Sequence, residues 1–217
     1  MLGKDYIRKD YPALSATDKA GQALRLMDKW KVRQLPLLEG DNYRRLVGED
    51  EVRAMDITAP LGEEGRFAPS VRPSGHLHEI VAKMAHYGLS LLPVVTAKGK
   101  FTGVITREGM FDELAAWAHA EGGGSVLVLE MQTRDYALSD IARILEANNA
   151  HLLSLLSKTD ASGKLKLLLK IDLDDALPAV RSFERFNYHV LYYFQREGEL
   201  DDTLRQRLNE LVYYMRM

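Results

Sequence analysis

Cysteine is absent from the 217 residues. That excludes disulfides, thiolate metal sites and cysteine nucleophiles, and it suits a reducing cytoplasm. An excess of either charge sign is also missing. The chain has 29 Lys and Arg against 31 Asp and Glu, a formal net charge of −2. No global basic field points to nucleic acid, and no acidic tail is present. No apolar run approaches the ~18 residues of a membrane span, so no membrane partner is expected. Residues 1–10 contain no apolar stretch of the signal-peptide kind, and the expected location is the cytoplasm. Hydrophobic residues make up 46% of the chain, an ordinary share for a globular protein. The length suits one large domain or two small ones.

What the chain does contain is a second copy of part of itself. Thr17, Ala20, Ala23, Leu24 and Met27 lead to Leu35-Pro36-Leu37-Leu38; Ser74, Leu77, Ile80, Val81 and Met84 lead to Leu92-Pro93-Val94-Val95. The offset is constant at 57 residues. A fixed offset marks two copies of one supersecondary unit. In each copy the first segment has the i, i+3, i+4, i+7 spacing of one helix face. Thr17 and Ser74 stand where an N-cap hydroxyl belongs. Short aliphatic runs follow, and in the second copy Ala97-Lys98-Gly99-Lys100 reads as the turn of a hairpin. The spacing then predicts a closing helix over 108–120. Residues 57–66 read as a loop joining the copies.

Gly122-Gly123-Gly124 is the clearest boundary, because three glycines lose too much backbone entropy inside a helix or strand. Downstream, the pattern predicts strand 125–131, a helix carrying Leu138, Ile141, Ala142 and Leu145, strands 151–157 and 165–171, a helix capped by Asp174 or Asp175 and running to 186, and strand 188–194. Lys166 and Lys170 alternate with Leu165, Leu167, Leu169 and Ile171, the period of a sheet with one buried face. This order suits a split βαβ, ferredoxin-like sandwich. A final amphipathic helix is expected within 196–217, with Leu200, Leu204, Leu208, Leu211 and Met215 on one side. The expected divisions are 1–66 and 67–121 for the two repeats, 122–124 for a hinge, 125–195 for the sandwich and 196–217 for the last helix.

The helix with a central Met, the apolar-Pro-apolar-apolar strand, and Gly103-Val104-Ile105-Thr106-Arg107-Glu108 opening a helix resemble the tandem cystathionine-β-synthase (CBS) domain, or Bateman module. The downstream βαββαβ order resembles an ACT domain. The domain order is similar to that of acetoin-utilisation accessory proteins. The resemblance implies an α/β (α+β) fold: two CBS repeats in a pseudo-twofold pair, then an ACT-like domain.

The resemblance also implies two clefts that bind adenine nucleotides or adenosyl ligands. The family's site motif is Gly, two apolar residues, Ser or Thr, two variable residues and Asp. There the carboxylate accepts ribose hydroxyls, and the hydroxyl helps to hold phosphate at a helix N-terminus. In the second copy Gly103 and Thr106 fit, but Gly109 stands at the Asp position, with Glu108 beside it and about 100° round the helix. In the first copy Arg45 stands at the Gly position, Gly48 at the hydroxyl position and Glu51 at the carboxylate position. The resemblance therefore implies Thr106, Arg107, Glu108, Glu51 and Asp50 as ligand-binding residues, with Pro36, Pro93 and Val71 in the cleft walls. In the ACT-like part the corresponding loop is Asp135, Tyr136, Ala137 and Leu138, with Ala137 where many ligand-binding relatives carry Gly.

Other candidate chemistry is weaker. His76, His78 and His86 do not converge at helical spacing, so no metal site is expected. His151 and His189 belong to strands that could bring them together across the sheet. Tyr6, Tyr11, Trp30 and Tyr43 lie near basic residues and read as a solvated rim with aromatic packing rather than a nucleic-acid face. No nucleophile–base constellation, phosphate loop or dinucleotide fingerprint is present. The resemblance implies a non-catalytic regulatory sensor, homodimeric and with no resident cofactor. Its regulatory ligands would be AMP, ADP, ATP or S-adenosylmethionine. The alternative is a ligand-free dimeric scaffold for a partner protein.

Overall fold

The computed structural model describes residues 1–195. The chain divides into two compact units between Glu113 and Leu114. The first contains β1 (Leu14–Ser15), α1 (Ala20–Trp30), β2 (Gln34–Glu39), β3 (Asn42–Gly48), α2 (Glu49–Arg53), α3 (Leu77–His86), β4 (Leu91–Val95) and β5 (Phe101–Thr106). The division falls inside α4 (Arg107–Trp117). The second contains β6 (Ser125–Gln132), α5 (Leu138–Glu146), β7 (Leu152–Thr159), β8 (Lys164–Ile171), α6 (Leu177–Arg185) and β9 (His189–Phe194). The expected helix within 196–217 lies outside the described residues.

In the first unit the repeat is a repeat of structure. α1 buries Ala20, Ala23 and Met27, and α3 buries Leu77, Ile80 and Met84, the faces that the helical spacing marks. Each helix is followed, at the equivalent repeat position, by a residue at positive φ: Lys31 (53°) after α1 and Gly88 (63°) after α3. Val32 N–H then closes on Met27 O, and Leu89 N–H on Met84 O. Both helices start two residues later than the hydroxyls suggest. Lys19 is the N-cap of α1 and makes no side-chain cap, while His76 caps α3 by accepting from His78 N–H. Thr17 instead pairs its hydroxyl with that of Ser15.

Each copy also has an earlier strand position that the pattern does not mark. Leu14 pairs in parallel with Leu37, and Val71 pairs in parallel with Val94. In the hairpins Pro36 stands opposite Leu46 and Pro93 opposite Val104. The second hairpin is thus one residue longer, and Gly48 is the counterpart of Thr106. The segments before each copy are exchanged. Arg8, ahead of the first copy, bridges to Val104 of the second; the Phe67 carbonyl, ahead of the second copy, accepts from Leu46 N–H of the first. This reciprocal pairing is the mark of a pseudo-twofold pair. Gly103 (φ 141°) permits it, because a Cβ there would stand 2.6 Å from the Arg8 carbonyl oxygen. Ser90 ties the copies directly, giving its N–H and hydroxyl to Gln34 Oε1 and accepting from Arg33 N–H.

The second unit is an antiparallel four-stranded sheet in the order β7-β8-β6-β9. With α5 and α6 between strands, this is the split βαβ arrangement. Leu127, Leu129, Leu167 and Leu169 form a core with Ile141, Ile144, Leu145, Ala179, Val180 and Phe183. Leu138, expected on the α5 stripe, is 49% exposed, and Ile144 takes its place in the core. Neither expected aspartate is the N-cap of α6: Ala176 takes that position without a side-chain cap, Asp175 just before it accepts from Leu177 N–H, and Asp174 accepts from Gly124 N–H. Lys170 departs from the alternation: it is buried and donates to the carbonyls of Gly122 and Gly124. Gly122 and Gly124 are therefore hydrogen-bonded within this unit.

Candidate functional site: twin clefts

The pseudo-twofold pair produces two clefts of similar size from equivalent positions. One, of ≈ 430 Å³, is lined by Ser90, Thr106, Arg107, Glu108 and Phe111 of the second copy and by Trp30, Lys31 and Val32 at the end of α1, with Tyr11 alongside. The other, of ≈ 440 Å³, is lined by Arg33, Gln34, Gly48, Glu49, Asp50 and Arg53 of the first copy and by Gly88 at the end of α3. Each cleft thus joins the helix opening after one copy's hairpin to the end of the other copy's first helix.

The walls differ. In the second-copy cleft Tyr11 and Trp30 pack with ring centroids 4.7 Å apart at 43°, and the Arg8 guanidinium lies 5.7 Å from the Tyr11 centroid. Phe111 is 71% exposed beside them. Such rings offer flat apolar surface to a planar heterocycle. Thr106 is buried, and its Oγ1 accepts the Gly109 N–H at 3.1 Å, capping α4. The hydroxyl proton remains available to an anion, and the opening of an eleven-residue helix favours one. Glu108 supplies a carboxylate, a hydrogen-bond acceptor for hydroxyls.

The first-copy cleft contains no aromatic ring among its lining residues. Glu49 accepts from Arg53 Nε at 2.9 Å, and the helix that opens there is only five residues long.

The sequence-predicted residues are therefore only partly brought together. Thr106, Arg107 and Glu108 share one cleft and Asp50 lies in its twin. Glu51 accepts from Arg45 Nη1 at 2.7 Å. Pro36, Pro93 and Val71 are buried in the strand layer and line neither cleft. Ser90 and Phe111 are the cleft residues that motif reading passes over, and Tyr11 and Trp30 read as a rim. The repeat could have paired them, since Ser90 and Phe111 stand at the repeat positions of Arg33 and Arg53, which line the twin cleft.

In the second unit Asp135 lines a ≈ 360 Å³ cavity with Glu130, Asp140, Arg143, Phe186 and Tyr188 among others. Burial raises the Tyr188 pKa, and the nearby Asp140 carboxylate adds to it. Tyr136 and Leu138 are exposed and do not line this cavity, and Ala137 is the N-cap position of α5.

The histidine expectations change in detail. His76 and His78 stack at 5.2 Å, rather than facing apart. His151 pairs with Asp172 at 2.7 Å and His189 lies 3.7 Å from Glu130, so each has its own carboxylate. No group of three or more metal-ligating side chains occurs among the described residues. No described helix is long and apolar enough to cross a membrane.

The pattern of the CBS domain family matches residues 3–49 and 66–116. The chain carries tandem CBS domains. Three solved structures show similarity. A CBS domain pair/ACT domain protein from Thermotoga maritima is 14% identical, with a TM-score of 0.49 over 54% of this chain and 98% of the other. A proposed acetoin utilization protein (AcuB) from Vibrio cholerae is 20% identical, with a TM-score of 0.48 over 56% and 95%. CBSX2, solved in complex with AMP, is 20% identical, with a TM-score of 0.44 over 53% and 96%. No curated protein matches the chain.

Proposed function

We propose that the protein is a regulatory, non-catalytic sensor whose CBS clefts take an adenine nucleotide or adenosyl ligand. CBS domain pairs commonly bind adenosyl ligands in regulatory roles. The observation that carries the reading is the second-copy cleft: an aromatic wall of Tyr11 and Trp30 facing the opening of α4 at Thr106. The rings take the base, the Thr106 hydroxyl and helix opening take phosphate or carboxylate, and Glu108 accepts from ribose hydroxyls. The second unit, ACT-like in strand order, serves as the dimerising and transmitting part of a cytoplasmic homodimer. For ligand to regulate, it must bind two arrangements of the chain with different affinity.

Thermal unfolding with AMP, ADP, ATP and S-adenosylmethionine tests this. Ligand at a hundredfold excess over its dissociation constant adds about 2.7 kcal/mol, a clear rise in midpoint. Indifference to all four contradicts the sensor reading. It favours the second reading, a ligand-free scaffold for a partner protein, which Gly109 at the carboxylate position motivates.

A further inference from the structure

The sheet of the second unit has two faces, and α5 and α6 pack on one of them. The core on that side takes Leu127 and Leu129 of β6, Leu167 and Leu169 of β8 and Tyr193 of β9. The alternate residues point the other way. There Leu156 pairs with Leu168, Leu168 with Val128 and Val128 with Tyr192, so one apolar row crosses all four strands. Val126 and Phe194 stand side by side in the next row. Leu156, Tyr192 and Phe194 are exposed. The apolar row lines a groove of ≈ 350 Å³. Towards one end Ser154 donates to the Ala118 carbonyl and Lys170 to those of Gly122 and Gly124. Towards the other, Lys158, Lys166 and Glu130 form a polar row.

An apolar sheet face is buried against a second layer in stable folds. The chain continues from this face. β9 is an edge strand of the sheet, and its last residue is Phe194. Residues 196–217 lie outside the described residues, and their sequence sets Leu200, Leu204, Leu208, Leu211 and Met215 at helical spacing. As a helix, 200–215 would span about 24 Å. The eight-residue strands β6, β7 and β8 span about 27 Å. Residues 195–199 can reach up to about 17 Å, and the middle of the sheet is about 7 Å from β9. So short a tether sets an effective concentration on the order of millimolar. That favours the chain's own segment over one from a second copy.

We propose that residues 196–217 dock as a helix in this groove of their own chain, with the leucine stripe on Leu156, Leu168, Val128 and Tyr192, and so close the sheet face to other chains. This is independent of the adenosyl reading, since it concerns the second unit alone.

The absence of cysteine lets a single spin label be placed in the full chain. Gln206→Cys puts it on the side of the helix away from the leucine stripe; Asn209→Cys, also off the stripe, serves if that variant does not fold. Methyl NMR of chains carrying both the label and isotope-labelled Leu and Val reads the contact. The Leu156, Leu168 and Val128 signals should lose most of their intensity, while Val180 on α6, beneath the other face, keeps more of its own. Adding Leu204→Asp/Leu208→Asp, which alters only the stripe, should restore the lost signals. In a second sample, isotope-labelled chains without the label are refolded with an equal amount of chains carrying only the label, and the signals should stay intact. Loss in that mixed sample as strong as in the first seats a second copy's segment in the groove and overturns the inference. No loss in either sample, or loss that survives Leu204→Asp/Leu208→Asp, also overturns it.

Discussion

Thr106 Oγ1 accepts the backbone N–H of Gly109 at 3.1 Å, so one hydroxyl both caps α4 and faces the aromatic cleft. Thr106→Val keeps the shape and removes both roles. Loss of the cap costs about 1 kcal/mol, read as a lower urea midpoint. AMP affinity should fall at least tenfold in the same protein. Thr106→Ser should restore stability and affinity together. If stability falls while affinity holds, Thr106 is a cap alone.

The repeat also predicts a stabilising change. Lys31 holds φ 53° where its counterpart is Gly88 at φ 63°. A side chain in the left-handed region costs roughly 1–2 kcal/mol. The Lys31–Asp28 ion pair it makes is well exposed on both sides, and such pairs add little. Lys31→Gly should therefore raise stability by about 1 kcal/mol, measured by urea denaturation. A destabilised variant would show that the exposed pair or the glycine's unfolded-state entropy outweighs the strain.

Acid stability should depend on the turn between β7 and β8. Asp160 accepts from the Ser162 hydroxyl at 2.6 Å, from Ser162 N–H and from Lys164 N–H, with Lys166 Nζ 3.4 Å away. The Ser162 hydroxyl bond is the largest cause that lowers its pKa from 3.8 to about 2. A depressed carboxylate contributes fully above its unfolded value and loses that contribution as pH falls through the folded one. Wild type should therefore lose midpoint between pH 4 and 2, as other carboxylates protonate too. Asp160→Asn should start lower at neutral pH and lose less across that window. Parallel midpoint curves for the two proteins would contradict this role.

Much of the first unit is legible because its pattern is written twice. Met27 with Met84, and Pro36 with Pro93, fix helices and strands by offset alone. The strands at Leu14 and Val71 escape because two residues, or a single bridge, carry no period. The start of α1 is misplaced because Thr17 pairs with Ser15 instead of the helix, leaving Lys19 at an N-cap position without a side-chain cap, and the start of α3 because the His76 ring takes the cap instead of Ser74. Lys170 defies its alternation because two glycine carbonyls satisfy its ammonium in the interior. At the site, Thr106 to Glu108 are readable as a motif. Tyr11 and Trp30 are not, because no period links the segment before β1 to the end of α1, and only packing brings the two rings together. The Arg45–Glu51 pair is hidden for a related reason: the sequence shows an arginine at a glycine position, but only packing shows where the guanidinium goes.

Trp30 offers the most direct test of the central claim. The chain has two tryptophans, and Trp117→Phe leaves Trp30, on the cleft wall, as the sole indole reporter. The account predicts a saturable change in Trp30 emission on titration with at least one of AMP, ADP, ATP or S-adenosylmethionine, and loss of that saturation when Thr106→Val is added. Emission unchanged at millimolar concentrations of all four would contradict it.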